Sequence, residues 1–159
     1  MWQPMTLDDL ENVYLISQNT WADYGETFAT YKNKFLTAPN GCYVYKEDNN
    51  STIKGYIISH PWNIHYPPPQ LNTPLIKLNL EENCWFIHDI VILPESRGAG
   101  IGDEIIRKIL NDNSIVSLVA ADNETVKTKE FWTRYGFKIS EHISCSYGIY
   151  MIRKRTSSF

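Results

Sequence analysis

The chain shows two hydrophobic periods, and the change from one to the other predicts the order of its elements. Near the N-terminus, apolar side chains recur with a helical period over residues 6–18 and 26–36, which predicts two amphipathic helices. From residue 42 the apolar runs become short and strand-like. Residues 42–46 and 53–59 flank a polar turn at 47–51, which predicts an antiparallel hairpin.

The rest of the chain alternates strands with helices. Residues 84–93 are apolar at both alternating sets of positions, as is typical of a strand buried on both faces. The elements predicted after it are a helix over 101–110, a strand over 114–121, a helix over 126–135, and strands over 137–143 and 147–153. With 159 residues and 43% hydrophobic side chains, the pattern predicts one α+β domain over residues 1–159.

Composition and charge narrow the classes of protein to consider. The net charge of -3 argues against a broad nucleic-acid surface. The first residues lack the basic and apolar segments of a signal peptide, and no apolar run has the length of a membrane helix. Cys42, Cys84 and Cys145 are far apart and lack C-x-x-C spacing, which favours buried free thiols. We therefore expect a cytoplasmic monomer or homodimer without nucleic-acid or membrane partners.

A long proline-rich loop is predicted over residues 61–74. Its sequence, PWNIHYPPPQLNTP, holds five of the eight prolines of the chain. Loops of this length without secondary structure of their own are often functional. A stiff surface connection is the alternative, because proline-rich segments are extended and semi-rigid.

A glycine-rich stretch joins the buried strand to the next helix. Residues 91–110 read VILPESRGAGIGDEIIRKIL, with Gly98, Gly100 and Gly102 at alternate positions. Glycines permit backbone conformations and close approaches that side chains block. At a helix N-terminus the exposed N–H groups and the helix dipole attract anions, and Arg97 adds a positive charge. The stretch therefore predicts a phosphate or pyrophosphate site.

Three known kinds of phosphate-binding site loosely match this glycine-rich stretch. A Walker A loop is excluded, because Asp103 follows Gly102 where that motif needs lysine. A dinucleotide fold has G-x-G-x-x-G spacing, and here the spacing is G-x-G-x-G, although Asp122 lies where a ribose-binding acid would stand. Fewer than forty residues follow Asp122, too few to complete a doubly wound sheet.

The third kind of phosphate site is indicated by a resemblance to a known protein family. Residues 93–102, LPESRGAGIG, closely resemble the acetyl-CoA signature of the GNAT superfamily of N-acetyltransferases, and residues 131–137, FWTRYGF, resemble its second signature. The order of predicted elements resembles that family over nearly the whole chain. Residues 60–62, the proline-rich loop and residues 146–148 are similar to an uncharacterised bacterial branch. The resemblance implies a mixed, mostly antiparallel central sheet of about six to seven strands flanked by about four helices.

The resemblance also implies a function. It implies transfer of an acetyl group from acetyl-CoA to a primary amine of a small molecule or peptide, by direct attack, without a covalent enzyme intermediate or a metal ion. In the family, the splayed end of the central strand pairs with the pantetheine amides, and the N–H near Ile92 would stabilise the oxyanion. The positions implied to bind the cofactor are Ile90, Val91, Ile92, Arg97, Gly98, Ala99, Gly100, Ile101, Gly102 and Trp132.

Two residues of the central strand are candidates for the general base. Related enzymes often hold an acidic pair where this chain has His88 and Asp89, and an imidazole suits proton abstraction near neutral pH. Strand alternation predicts that the two side chains face opposite sides, with His88 on the face of Ile90 and Ile92. The structural alternative is a buried histidine beside an aspartate that bridges strands.

The general acid is the point at which the sequence departs from the family. Trp132 stands where the family has a tyrosine, and an indole cannot protonate a thiolate. Tyr135, one turn further on, is the remaining candidate, although a thiolate leaves tolerably well without an acid.

The sequence says least about which residues bind the acceptor. His60, Trp62 and His65 border the proline-rich loop and are candidates to line the acceptor pocket. The replacement of the family's tyrosine by Trp132 also keeps open a second function, a GNAT-like module that binds acyl-CoA without efficient turnover. The dinucleotide-binding domain is the third alternative.

Overall fold

The computed structural model describes residues 1–48, 52–75, 81–123 and 126–156. The predicted turn at 47–51 therefore lies partly outside the described residues. The strands and helices are, in chain order, β1 (Trp2–Pro4), α1 (Leu10–Trp21), α2 (Phe28–Thr37), β2 (Cys42–Lys46), β3 (Ile53–Trp62), β4 (Cys84–Ile92), α3 (Ile101–Asp112), β5 (Ile115–Ala120), α4 (Lys129–Thr133), β6 (Lys138–Ile139) and β7 (Ile149–Lys154).

The seven strands form one sheet in the order β1-β2-β3-β4-β5-β7-β6. Every neighbouring pair is antiparallel except β4 and β5, which are parallel. That exception follows from α3, because a helical crossover returns the chain to the same end of the sheet. The predicted α+β class, with a mostly antiparallel sheet and four helices, is confirmed.

Successive side chains of β3 pack into two different hydrophobic cores, one on each face of the sheet. Ile57 belongs to the core beneath α3 and α4, and its neighbour Ile58 belongs to the core beneath α1 and α2. Both residues are fully buried. The helices therefore cover both faces of the sheet, and the central strands are apolar on both sides.

β4 and β5 pair over only part of their length. Their parallel register runs from Trp85↔Val116 to Ile87↔Leu118. Beyond Ile87, β4 continues to Ile92, while β5 stays paired with β7. The two strands diverge there and leave a wedge-shaped gap in the middle of the sheet. One edge of β4 is free of ladder pairing along this gap, as the family resemblance implied for the splayed strand.

A β-bulge lies in β4 at the start of the gap. Ile58 of β3 pairs with Asp89, but the next residue, Ser59, pairs with Ile87. Two residues of β3 thus span three of β4, and His88 is the extra residue.

The bulge places His88 and Asp89 on the same face of the sheet, beneath α1 and α2. His88 contacts Glu26, which precedes α2, whereas Ile90 packs into the core beneath α3. The prediction that His88 and Asp89 face opposite sides, with His88 on the face of Ile90 and Ile92, is therefore wrong. The extra residue shifts the alternation by one, and the isolated strand sequence does not reveal it.

Element boundaries differ from the predictions where local hydrogen bonds compete. β3 runs to Trp62 and takes in Pro61, which the sequence assigned to the loop. Past Ile58, β3 has no partner on its β2 side, so a proline without an N–H is tolerated there. Helix α4 is shorter than predicted and begins at Lys129, because Asn123 accepts from the Val126 N–H at 2.8 Å and Lys127 pairs with Asp122 in an isolated β-bridge.

Candidate active site

The glycine-rich loop forms an open cradle at the start of α3. Gly98 and Gly100 have φ angles of +88° and +78°, in the left-handed region that favours glycine. A Cβ added at either position would meet nothing within 4 Å, so the space before their backbone is empty. Arg97 is exposed beside them, and its Nε donates to the Ile92 carbonyl at 2.9 Å. Backbone N–H groups, a helix N-terminus and a guanidinium thus surround a space that fits a phosphate group.

A cleft of about 780 Å³ extends from this cradle into the gap between β4 and β5. The first turn of α3 and helix α4 complete its walls. Every residue expected to bind the cofactor lines it except Ala99, which is exposed and not among the lining residues. The residues that line it as expected are Ile90, Val91, Ile92, Arg97, Gly98, Gly100, Ile101, Gly102 and Trp132, together with the catalytic candidates His88, Asp89 and Tyr135.

A second pocket, of about 220 Å³, lies on the α1 and α2 side of the gap. It shares Trp21, His88, Asp89, Val119 and Ala121 with the large cleft, so the two spaces meet where the β4 bulge faces the end of β5. Leu71 of the proline-rich loop lines this pocket, and no residue of 61–74 lines the large cleft. The other lining residues are Tyr24, Glu26, Tyr31, Phe86, Asp122, Asn123, Ser146, Tyr147 and Gly148.

His88 is held by Glu26. Its Nε2 donates to Glu26 Oε1, and both side chains are only 4% exposed. The second carboxylate oxygen, Oε2, accepts from the Asn72 N–H at 2.8 Å. Burial acts to raise the pKa of Glu26, but the hydrogen bond and charge of His88 outweigh it, and the pKa lies below its ordinary value. Among the described residues, His88 Nδ1 has no hydrogen-bond partner.

Asp89 is buried and accepts three hydrogen bonds. Trp21 Nε1 donates to Oδ1 at 3.0 Å, and the hydroxyls of Tyr31 and Tyr56 donate to Oδ2 at 2.9 and 2.5 Å. Burial raises the pKa of Asp89, and the charge of His88 and the three donors offset this only in part. Asp89 thus ties α1, α2 and β3 to the bulge.

Tyr135 spans the rim of the large cleft. Its hydroxyl donates to Asp103 Oδ1 at 2.7 Å, and Arg107 bonds Asp103 Oδ2 at 2.9 Å. Burial, followed by the hydrogen bond and charge of Asp103, raises the pKa of Tyr135 to about 12. Trp132 is 6% exposed and belongs to the core beneath α3, with one side toward the cleft.

His60, Trp62 and His65, which were expected to line an acceptor pocket, line neither of the two spaces. His60 is 1% exposed and packs behind the pocket wall, with its ring centroid 5.2 Å from that of Phe86. Trp62 packs against the same two rings, and His65 is exposed outside both spaces. β3 continues to Trp62, so His60 and Trp62 belong to a packed strand instead of a loop, and His65 lies in the exposed turn that follows.

We expect the buried His60 to make the fold sensitive to acid. Burial lowers the pKa of His60 to about 3, with a smaller effect from the charges of Lys34 and His88. The unfolded chain protonates near 6.5, so it binds more protons than the folded chain between these values. Stability should therefore fall as pH decreases from about 6.5 toward 3, by up to ~1.4 kcal/mol per pH unit.

Urea unfolding of His60→Phe at several pH values measures this effect. The stability of the variant relative to the parent should increase as the pH is lowered below about 6.5. His142→Phe, at an exposed histidine, is the matched control and should show no such trend. A pH-independent difference for His60→Phe would show that His60 takes up its proton in the folded state.

Sequence reasoning missed the residues that hold the catalytic candidates in place. Glu26 and His88 are 62 positions apart, and no motif links them. A glutamate just before a helix is ordinarily explained by the helix dipole, which hides its contact with β4. Trp21, Tyr31 and Tyr56 similarly carry ordinary helix and strand patterns, and only the bulge brings Asp89 to them.

Residues 1–48, 52–75, 81–123 and 126–156 contain no group of three His, Cys, Asp or Glu side chains placed to hold a metal ion. In the same residues, no helix has the length and apolar character needed to cross a bilayer. The three cysteines, Cys42, Cys84 and Cys145, are free thiols.

Comparison with known proteins establishes the family. The model of the acetyltransferase (GNAT) family matches residues 7–137, so the chain belongs to this family of acetyltransferases. No curated protein matches the sequence.

Solved structures share the fold at low sequence identity. Ard1 from Thermoplasma volcanium is 18% identical with a TM-score of 0.68, over 99% of this chain and 98% of that one. An N-acetyltransferase from Staphylococcus aureus Mu50 is 18% identical with a TM-score of 0.65, over 96% and 98%. The GNAT-like decarboxylase GphF, in complex with isobutyryl-CoA, is 14% identical with a TM-score of 0.76, over 97% and 98%.

Family membership and topology exclude the dinucleotide-binding alternative. A doubly wound domain is built on parallel strands, and among the strands that the structure describes only β4 and β5 are parallel. The glycine-rich loop lies between β4 and the crossover helix α3, as the GNAT signature requires.

Proposed function

We propose that this protein transfers an acetyl group from acetyl-CoA to a primary amine of a small molecule or peptide, by direct attack. One observation carries the proposal: the large cleft and the small pocket meet at His88, where the sheet opens. A donor that reaches from the glycine cradle into the gap would meet an acceptor that enters from the side of α1 and α2. Holding both reactants in that geometry is itself a large part of catalysis.

The residues of the large cleft fit coenzyme A. The cradle at Gly98 and Gly100 suits its pyrophosphate, and the narrow gap between the strands suits the extended pantetheine arm. The free edge of β4 offers backbone groups to the amides of that arm. An N–H near Ile92 would stabilise the oxyanion. The thioester supplies an activated acyl group, so the chain itself needs no nucleophile.

His88 is the base that we favour. A primary alkylamine has a pKa near that of lysine, about 10.4, so it must lose a proton before it attacks. His88 faces both spaces and keeps Nδ1 without a partner among the described residues. The oxygens of Asp89 already accept three hydrogen bonds, which suits a structural role better than proton transfer.

Tyr135 is the candidate acid for the departing thiolate. With its pKa raised to about 12 it keeps its proton at neutral pH, as an acid must. Its hydroxyl now donates to Asp103, so it has to turn away from that carboxylate to reach the gap.

The small pocket favours a cationic acceptor. Aromatic rings of Trp21, Tyr24 and Tyr147 line it, and Glu26 and Asp122 supply carboxylates. Rings and carboxylates together attract an ammonium group before it is deprotonated.

An acceptor panel tests the proposal. The protein is incubated with acetyl-CoA and polyamines, amino acids, aminoglycosides or short peptides, and both CoA thiol release and the mass of the acetylated amine are recorded. We expect at least one primary amine to gain an acetyl group with stoichiometric thiol release. Binding of acetyl-CoA without turnover on any amine would favour the second function, an acyl-CoA-binding module.

A further inference from the structure

We propose that Glu26 is a positioning residue that fixes His88 as its Nε2–H tautomer, and that Asn72 of the proline-rich loop sets the Glu26 carboxylate in place. The inference rests on the proposed function only for its kinetic part. The tautomer of His88 can be measured whether or not the protein turns over a substrate.

The proton of His88 lies on the ring nitrogen that faces Glu26. Glu26 Oε1 is an acceptor, so the bond from His88 Nε2 requires hydrogen on that nitrogen. In a neutral imidazole the lone pair then lies on Nδ1, the atom without a partner among the described residues. The carboxylate therefore leaves the basic nitrogen available to a substrate amine.

Glu26 is itself held in place by Asn72 and Gln18. Asn72 and the chain around Glu26 make a two-point contact: the Asn72 N–H donates to Glu26 Oε2 at 2.8 Å, and Asn72 Oδ1 accepts from the Thr27 N–H at 2.9 Å. Gln18 of α1 also donates to the Glu26 carbonyl at 2.9 Å. Asn72 has a φ of +58°, a left-handed conformation that asparagine tolerates. The long loop thus acts on the β4 bulge through a single carboxylate.

Glu26 is poorly suited to be the base itself. Both of its oxygens already accept hydrogen bonds, and its pKa lies below the ordinary value even though burial opposes this. A carboxylate with a lowered pKa takes up a proton less readily. Its position is that of a group that orients a base, the role an aspartate plays toward histidine in hydrolytic triads.

Other ionisable groups surround this pair. Lys34 of α2 is 1% exposed, its Nζ has no hydrogen-bond partner in the described chain, and burial lowers its pKa against the attraction of Glu26. His60 of β3 packs with its ring centroid 6.4 Å from that of His88, and Asp89 is the next residue of β4. Tyr31 and Tyr147 also feel the charge of Glu26. Among these groups, only Glu26 contacts a ring nitrogen of His88.

Glutamine at position 26 gives a sharp test, because an amide has one acceptor and one donor side. The Asn72 N–H requires an acceptor, so in Glu26→Gln the amide oxygen should turn to Asn72 and the NH₂ group to His88 Nε2. The proton of His88 then moves to Nδ1. The basic lone pair now lies on Nε2, where it accepts from the introduced amide and is no longer available to a substrate amine. Alanine at this position imposes neither tautomer.

We therefore expect the near-isosteric glutamine variant to be impaired more than the alanine variant. Glu26→Gln should lower kcat on the best acceptor by roughly a hundredfold or more, the loss expected when a base is disabled. Glu26→Ala should lose less, and KM for acetyl-CoA should be unchanged in both. In ¹⁵N spectra of histidine-labelled protein, His88 should show Nε2–H in the parent, Nδ1–H in Glu26→Gln and a mixture in Glu26→Ala.

Glu141→Gln is the matched control, since Glu141 is exposed and lines neither space. It should leave both the spectrum and kcat unchanged. Persistence of Nε2–H in Glu26→Gln would overturn the proposal, as would a milder kinetic effect of Gln than of Ala. A raised KM for the amine with unchanged kcat would instead make Glu26 a substrate contact and also overturn it. If Glu26→Ala does not fold, the spectrum of the near-isosteric Glu26→Gln decides alone.

Discussion

Replacement of His88 by glutamine is expected to lower kcat/KM for the amine by roughly a hundredfold or more while leaving acetyl-CoA affinity intact. His88 lies at the point where the two spaces meet, and Nδ1 is its only ring nitrogen not engaged by Glu26. Glutamine fills much of the same volume but cannot take a proton from an ammonium group. Rates measured between about pH 6 and 9, with acetyl-CoA binding measured separately, distinguish lost chemistry from lost binding.

His65→Gln is the matched control for that variant. His65 is exposed and lies outside both spaces, so the same chemical change there should leave the rate unaltered.

Asp89→Asn should instead lose stability, by about 2 kcal/mol or more, because the three groups that donate to Asp89 lose a charged acceptor. If His88→Gln keeps near-normal turnover and a folded Asp89→Asn does not, the base is Asp89. If both keep it, neither residue carries the proton.

Replacement of Gly100 by alanine is expected to weaken acetyl-CoA binding by at least about tenfold, equal to ~1.4 kcal/mol. An L-residue at a φ of +78° is strained by roughly 1–2 kcal/mol, and the chain can relieve this only by reshaping the cradle. The added methyl group would also project into the empty space before the backbone, where a phosphate would approach. Titration of acetyl-CoA into the variant by calorimetry measures the loss.

Gly136→Ala separates backbone strain from the loss of the cradle. Gly136 has a φ of +91° and closes α4, and an added Cβ would come no nearer than 3.7 Å to Arg153. Both variants should therefore lose similar stability, and only Gly100→Ala should lose affinity. Unchanged affinity in a folded Gly100→Ala would mean that the phosphates bind elsewhere.

The sequence predicted the large cleft well because its signals are local. Gly98 and Gly100 adopt the left-handed conformations that their spacing indicated, and the apolar run before them is the central strand. A helix that follows a strand at once fixes the crossover, and the crossover makes β4 and β5 parallel. The cradle, the gap and the start of α3 all follow from about twenty consecutive residues.

The small pocket could not be predicted, because its geometry depends on distant pairing. The bulge at His88 arises from the register of β4 against β3 and leaves no mark in the residues of β4 alone. Glu26 and Asn72 reach the bulge across the fold, through hydrogen bonds between segments with no sequence relation. His60 was misplaced for a similar reason, since a strand that continues through Pro61 resembles the start of a loop.

Binding of acetyl-CoA to the purified protein tests the central claim most directly. The large cleft should bind it, and at a hundredfold excess over Kd the fold should gain about 2.7 kcal/mol, seen as a rise in Tm that saturates with concentration. NAD at the same concentration should give no rise, and Gly100→Ala should require more acetyl-CoA to reach the same Tm. Absence of any shift at acetyl-CoA concentrations far above micromolar, in a protein shown to be folded, would contradict the account.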